Sequence, residues 1–290
     1  MKIKDLLKLG LFSTLYAPFN RAPRVYNSEE TIDYILKNKC SIARFGDGEL
    51  GLMYGRSISF QEYSKDLGIH LKNIKTTDKC LVCVPNLFRG NLTKDVFTKE
   101  EYDFWKKSSL VYGGLWRKSF GKMEPLGDAL ISRFYMRLKD KSNVGSYVEK
   151  LKKLWQDRNI VFIEGKNSRL GVGNDLFDNA SSIRRILAPE KNAFGKYTEI
   201  VESIKKNCKK DDLLILALGP TASILAYELS GEYQALDMGH VDIEYEWFKM
   251  GAEEKVPVKN KHVNECNSMG DCDIDKLDKK YLKEIIDTIE

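Results

Sequence analysis

Residues 40–50 read CSIARFGDGEL, a short apolar run that breaks on an arginine, two glycines and two carboxylates. The apolar part, CSIARF, has the length and β-branching of a buried strand. A polar, glycine-flanked loop comes next, and in it Asp47 and Glu49 stand one residue apart. Three later segments repeat the pattern of an apolar run stopped by glycine and polar residues. NIVFIEG (159–165) runs into KNSRLGVGNDLFDN, LLILALG (213–219) into PTAS, and YQALDMG (233–239) into HVDIEYEW. Between the runs lie longer stretches with helical spacing.

Strands that alternate with helices require crossover connections, and those give a mostly parallel sheet with helices on both faces. The expected fold is therefore α/β, Rossmann-like and doubly wound. Helices are expected over 28–38, with Asn27 and Glu30 as a capping box, near 60–76, over 97–107, within 125–155 and over 196–208, and from Ala222. Strands are expected at 40–45, 79–85, 109–114, 159–165, 213–219 and 233–239. The last forty residues are lysine-rich and then helical over 274–289. The chain divides into an N-terminal segment (1–26), a core (27–250) and a C-terminal loop and helix packed on it (251–290).

Composition excludes several classes. Forty-seven basic against 42 acidic residues leave a net charge of +5, spread along the chain. That balance suits an anionic small ligand and not a dedicated nucleic-acid binder. Six cysteines are too few for a disulfide scaffold. Cys80 and Cys83 fall in a core run, and Cys266 and Cys272 lack a second pair at zinc spacing. All six read as the reduced thiols of a cytoplasmic protein. The start, MKIKDLLKLGLFSTLYAPF, imitates a signal peptide only until Asp5, Lys8 and Pro18 are counted. Residues 1–19 read instead as an amphipathic helix, with Ile3, Leu6, Leu7 and Leu11 on one face. It would pack on the body or rest on a membrane surface. No stretch approaches the roughly 20 apolar residues of a membrane-spanning helix.

In open α/β sheets the ligand lies beyond the carboxyl ends of the strands, so the loops found there are the candidates for chemistry. Two carboxylates as close as Asp47 and Glu49 repel unless a cation lies beside them. Hard oxygen donors completed by water and phosphate oxygens are what Mg²⁺ or Mn²⁺ require, and glycines such as Gly46 leave room for a phosphate. In SRLGVGND, Ser168, Arg169, Gly173 and Asn174 offer a guanidinium and backbone N–H groups to phosphate oxygens. The G-x-G there does not continue as a dinucleotide fingerprint. Pro220 and Thr221 open a helix, with Thr221 its natural cap. His240 follows the strand expected at 233–239, which carries Asp237, and on a helix Asp242 and Glu246 share a face. That group could supply one metal ligand, His240, and one general base. Each loop also has a plain structural reading, as a turn, a capped helix or an acidic helix N-terminus. Their joint arrival at one sheet edge favours a site.

Together ARFGDGEL (43–50), SRFYM (132–136), FIEGKNSRLGVGNDLFDNASSIRRILAP (162–189), LALGPTAS (216–223) and ALDMGHVDIEYEW (235–247) resemble the bacterial glycosyltransferases of the GT-D fold type. That family was long catalogued as a domain of unknown function. Its members occur in Gram-positive clusters that glycosylate serine-rich adhesins or build surface polysaccharides. The resemblance implies a sugar transferred from a nucleotide donor, typically UDP-linked, with a divalent metal (Mn²⁺ or Mg²⁺) at a D-x-E motif, here Asp47 and Glu49. The acceptor would be a glycan on a glycoprotein or polysaccharide precursor. Arg44, Arg133 or Arg169 could add fixed positive charge at the leaving diphosphate. In an inverting reaction Asp242, then Glu246, would be the base, whereas a retaining reaction needs none. Two other readings use the same residues: a nucleotide phosphohydrolase or nucleotidyltransferase with the same carboxylates and metal, and a non-catalytic sugar-nucleotide-binding partner. Fold alone does not choose among them.

Overall fold

The apolar runs pair side by side, every one in the same direction. A computed structural model describes residues 8, 10–13, 15, 21–263, 266, 268–269 and 279–290. In it β1 (Ser41–Arg44), β2 (Cys80–Val84), β3 (Gly127–Asp128), β4 (Asn159–Gly165), β5 (Ser182–Ala188), β6 (Leu213–Ala217) and β7 (Gln234–Asp237) join β10 (Ile285–Thr288) in one sheet. The order is β10-β5-β4-β6-β7-β1-β2-β3, and all neighbours are parallel. A separate antiparallel pair joins β8 (His262–Val263) to β9 (Ser268–Met269).

Side chains alternate across this sheet and build two cores. Ala43, Val82, Ile163 and Leu216 face helices α2 (Asp47–Met53), α3 (Lys65–Asn73), α4 (Lys99–Phe120), α6 (Tyr197–Asn207) and α7 (Pro220–Glu228). Their neighbours Ile42, Leu81, Phe162 and Ile215 face α1 (Ser28–Asn38), α5 (Val144–Lys152) and α8 (Val241–Met250). The expected Rossmann-like, doubly covered sheet is thus present, and it is parallel throughout. The capping box is also as expected: Glu30 N–H donates to Asn27 Oδ1 and Asn27 N–H to Glu30 Oε2, both at 2.8 Å.

Four local expectations are corrected. Residues 109–114 are not a strand but the middle of α4, which buries Trp105, Ser108, Leu115 and Trp116 along one stripe. Gly114 has a packing role there: a Cβ on it would sit 2.8 Å from Ser13 Cα, so the bare backbone admits the N-terminal segment. Within 125–155 only Val144–Lys152 is α-helical, joined by β3 and a 3₁₀ turn over Ala129–Ser132. The helix from 274 ends at Glu284 and the chain turns into β10; residues 274–278 lie outside the described residues, as do Ile3, Leu6 and Leu7. Finally, β5 did not read as a strand because two arginines interrupt it.

Arg185 explains how a charged strand is buried. Its Nη1 donates to Glu164 Oε1 at 2.5 Å, its Nε to Glu284 Oε2 at 2.8 Å, and its Nη2 to the Leu170 carbonyl at 2.9 Å. The guanidinium lies 4.7 Å from the Phe162 ring centre and 4.9 Å from that of Tyr281. Glu164 is wholly buried, and burial pushes its carboxyl up while Arg185 opposes the push. Removing one partner of such a pair leaves a buried charge alone. Arg185→Leu is therefore expected to lower the free energy of unfolding by about 3–5 kcal/mol in a urea titration; a loss below about 1 kcal/mol would show that the pair does not hold the sheet edge.

Candidate active site

Arg44 ends β1, and its guanidinium is fixed by the protein itself. Nη2 donates to Asp237 Oδ1 at 3.0 Å and Nε to the Asp237 carbonyl oxygen at 2.6 Å. Nη1 reaches the Ala129 carbonyl at 3.0 Å and Ser132 Oγ at 2.5 Å. Asp237 Oδ2 takes a hydrogen bond from Ser223 Oγ at 3.0 Å. Gly239 is required beside this pair: its φ is +22° and a Cβ would lie 2.5 Å from Arg44 Nη2.

The chain after β1 turns directly into α2, so Asp47 and Glu49 occupy a helical first turn and not the loop read from the sequence. Glu49 folds back over the helix start, where the Gly46 N–H donates to its Oε2 at 2.7 Å. Asp47 is half exposed, and its nearest cation is Arg56, with Nη2 at 3.8 Å. Burial pushes the Glu49 carboxyl up to about 7, the Gly46 N–H opposes this, and the negative charges of Asp237 and Asp47 add to it.

Both carboxylates line a cleft of about 1160 Å³ across the strand ends. Arg44, Gly46, Arg133, Ser168, Asp237, His240 and Asp242 line it too, so nine of the sequence candidates meet in one place. The others lie elsewhere. Arg169 is buried, with Nη1 donating to the Asn260 carbonyl at 3.0 Å. Pro220 and Thr221 are buried in α7, whose cap position falls to Gly219 and not to Thr221. Gly173, Asn174 and Glu246 line a second cavity of about 510 Å³.

Asp242 and Glu246 share a face of α8 as expected, and that face holds the structure together. Lys261 Nζ, itself buried, lies 2.6 Å from Asp242 Oδ2 and 2.7 Å from Glu246 Oε1. Asn174 Nδ2 donates to both carboxylates, at 2.8 and 2.7 Å, and the Gly171 N–H donates to Asp242 Oδ1 at 2.8 Å. Residues 168–175 open no helix; they lie in turns tied down by these bonds.

Several lining residues escaped the sequence reading. Lys191 and Glu190 follow β5, so missing that strand hid its loop. Lys191 has no ion pair among the described residues. Phe60 lies against Gly219, whose φ is +53° and whose Cβ would come within 2.7 Å of the ring. Buried Glu244 accepts from the Tyr135 and Met136 N–H groups at 2.8 and 2.9 Å and so positions the SRFYM segment. The acidic spacing of α8 was visible, but its partners were too distant in sequence to infer.

The donor set suits a hard divalent cation. Asp47 and Glu49 supply oxygens, each with at least one carboxylate oxygen free of a short hydrogen bond. No three metal-binding side chains converge among the described residues, so a Mg²⁺ or Mn²⁺ ion here would draw its remaining ligands from water and phosphate oxygens.

A parallel sheet covered on both faces, with a wide cleft across its carboxyl ends, defines a Rossmann-like α/β protein. Residues 42–266 match the family described as glycosyltransferase GT-D fold, and the chain belongs to that family. It is 38% identical over 289 residues to the probable glycosyl transferase Gly of Streptococcus gordonii, covering 98% of this chain and 41% of that protein. It is equally identical to glycosyltransferase GlyD of Streptococcus pneumoniae serotype 4, covering 34% of it. The chain thus spans less than half the length of the curated relatives it matches. A solved structure of domain of unknown function 1792, described as having a distinct glycosyltransferase fold, superposes with a TM-score of 0.84 at 37% identity. The match covers 99% of this chain and 100% of that one.

The raised Glu49 carboxyl carries a sign that can be tested. A carboxyl with a folded-state pKa above its unfolded value stabilises the fold at low pH and loses that contribution as pH rises. For Glu49 the loss falls between about 4.5 and about 7. In metal-free buffer, Glu49→Gln is expected to gain urea resistance relative to the unsubstituted protein as pH goes from 5 to 8. A difference that is flat with pH would place Glu49 in a wetter setting than the cleft wall.

Proposed function

We infer that the chain transfers a sugar from a UDP-linked donor to a hydroxyl of a glycan acceptor on a glycoprotein or surface-polysaccharide precursor. The observation that carries this is the placement of Asp47 and Glu49 in the first turn of α2, on the wall of the large cleft beside the central strand β1. Family membership supports the reaction class. Asp47 and Glu49 would hold Mn²⁺ or Mg²⁺, and a divalent ion there would neutralise the diphosphate as the C1–O bond breaks.

The chain's own residues supply the rest. On the β4–β6 side, Gly165, Ser168, Lys191 and Gly219 line the cleft and suit a nucleotide diphosphate. Lys191 gives it an ion-pair partner, and Phe60 gives its base an apolar face. Arg44 acts through position: with its donors bound to Asp237, Ala129 and Ser132, it shapes the cleft floor. His240 holds the cap position of α8 at the cleft's edge, but it does not converge with Asp47 and Glu49 as a third metal ligand. If the reaction inverts, Asp242 is the better-placed base, because it lines the cleft while Glu246 faces the second cavity. Lys261 would hold that carboxylate in place.

No described helix is long and apolar enough to cross a membrane. Leu11 and Leu15 are exposed on the N-terminal segment, which supports weak contact with the inner face of the membrane by a cytoplasmic protein.

With UDP-glucose, UDP-galactose and UDP-N-acetylglucosamine as donors, Mn²⁺-dependent UDP release is expected from at least one. Chelation should abolish it, and Asp47→Asn or Glu49→Gln should lower it on the order of 10- to 100-fold. Release indifferent to both substitutions would contradict the reading. Sugar phosphate as the product would indicate a hydrolase.

A further inference from the structure

The cleft is larger than one nucleotide half requires, and its two halves differ in chemistry. The sheet order sets β4, β5 and β6 to one side of β1 and β7, and β2 and β3 to the other. Toward β2 and β3 the wall is built by the first turns of α4 and by the loop after α8. Phe104 and Trp105 stand there ring to ring, with centroids 5.1 Å apart and planes at 80°. Trp105 is buried in a small apolar cluster with Leu87, Phe97 and Leu130, while Phe104 is 48% exposed and lines the cleft. Trp105 Nε1 donates to Glu101 Oε1 at 2.7 Å, which fixes that carboxylate beside the exposed ring. Opposite them, Lys255 reaches Glu100 at 3.2 Å and ties the loop to α4. Glu253 and Glu254 line the same wall and have no cation partner among the described residues.

An exposed aromatic face flanked by acceptor-only carboxylates is the chemistry that takes a pyranose. The ring's electron-rich face meets the polarised C–H groups of a sugar, and carboxylates accept hydrogen bonds from adjacent hydroxyls. Lys255 is paired with Glu100 and Arg137 with Asp128, so Glu101, Glu253 and Glu254 leave this wall an excess of negative charge that disfavours a phosphate. We propose that this half of the cleft, formed by Phe104, Trp105, Glu101, Glu253 and Glu254, is a subsite for an uncharged pyranose, the end of the glycan that receives the sugar. The assignment of that sugar as the acceptor rests on the transferase reading; the subsite itself rests on the wall. Binding between the Phe104 ring and the carboxylates would turn the acceptor hydroxyl toward Asp47, Glu49 and His240 at the strand ends.

The test is saturation-transfer NMR on the full chain with UDP and Mg²⁺. The probes are methyl glycosides of glucose, galactose and N-acetylglucosamine, with glucose phosphate as competitor. At least one neutral glycoside should receive saturation on its ring protons. Phe104→Ala, at a position exposed enough to tolerate truncation, should weaken that binding about tenfold, with UDP signals in the same tube as the reference. Glucose phosphate should not displace the glycoside. Absence of signal from every glycoside, a signal unchanged by Phe104→Ala, or displacement by glucose phosphate would each overturn the subsite. Failure of UDP to bind, with the glycoside signal present and lost in Phe104→Ala, would sink the donor reading and leave the subsite standing.

Discussion

The ion pair between Arg44 and Asp237 sets the geometry on which the rest of the cleft depends. It joins the ends of the neighbouring strands β1 and β7 in the middle of the sheet. Through Ala129 and Ser132 it reaches the turn after β3, and through Ser223 it reaches α7. Four segments far apart in sequence are thereby anchored to one nearly dry guanidinium. A desolvated pair of this kind tolerates no half-measures, because either partner alone is a buried charge without compensation. The consequence for function is indirect and strong: the loop that carries Asp47 and Glu49 leaves β1 immediately after Arg44, so its direction is set by that anchor.

Two more buried networks hold the far side. Lys261 draws Asp242, Glu246 and, through Asn174, segment 166–178 into one bundle. Arg185 ties the same segment to β5 and to the C-terminal helix and strand. A glycine-rich stretch with no regular structure is thus held at both ends by charge. These charges separate the main cleft from the smaller cavity, which is why Gly173, Asn174 and Glu246 lie away from Asp47 and Glu49.

The strands that were legible in sequence are the ones whose runs are mostly apolar. CLVCV, NIVFIEG and LLILALG are readable from hydrophobic run length, and the parallel sheet from their alternation with helices. β5 was not legible, because SIRRILA is buried by pairing Arg185 with carboxylates 21 and 99 residues away, and no local pattern shows such partners. The same reason hid Lys191, which belongs to the loop of the unseen strand. Asp47, Glu49 and His240 were visible as candidates because glycine and charge at the end of an apolar run are local features. The α4 segment SLVYGG misled because its β-branched residue and paired glycines mimic a strand end, whereas tertiary contact with the N-terminal segment is what uses Gly114.

The central claim is that the acidic pair after β1 is where a metal and a diphosphate meet. Its most direct measurement is a crystal structure of the chain with UDP and Mn²⁺, with the metal located by anomalous scattering. Manganese is expected to be bound by carboxylate oxygens of Asp47 and Glu49, with the diphosphate directed toward Ser168, Lys191 and Gly219. Manganese or nucleotide seated instead in the smaller cavity beside Asn174 and Glu246, with the Asp47–Glu49 pair bare, would contradict it.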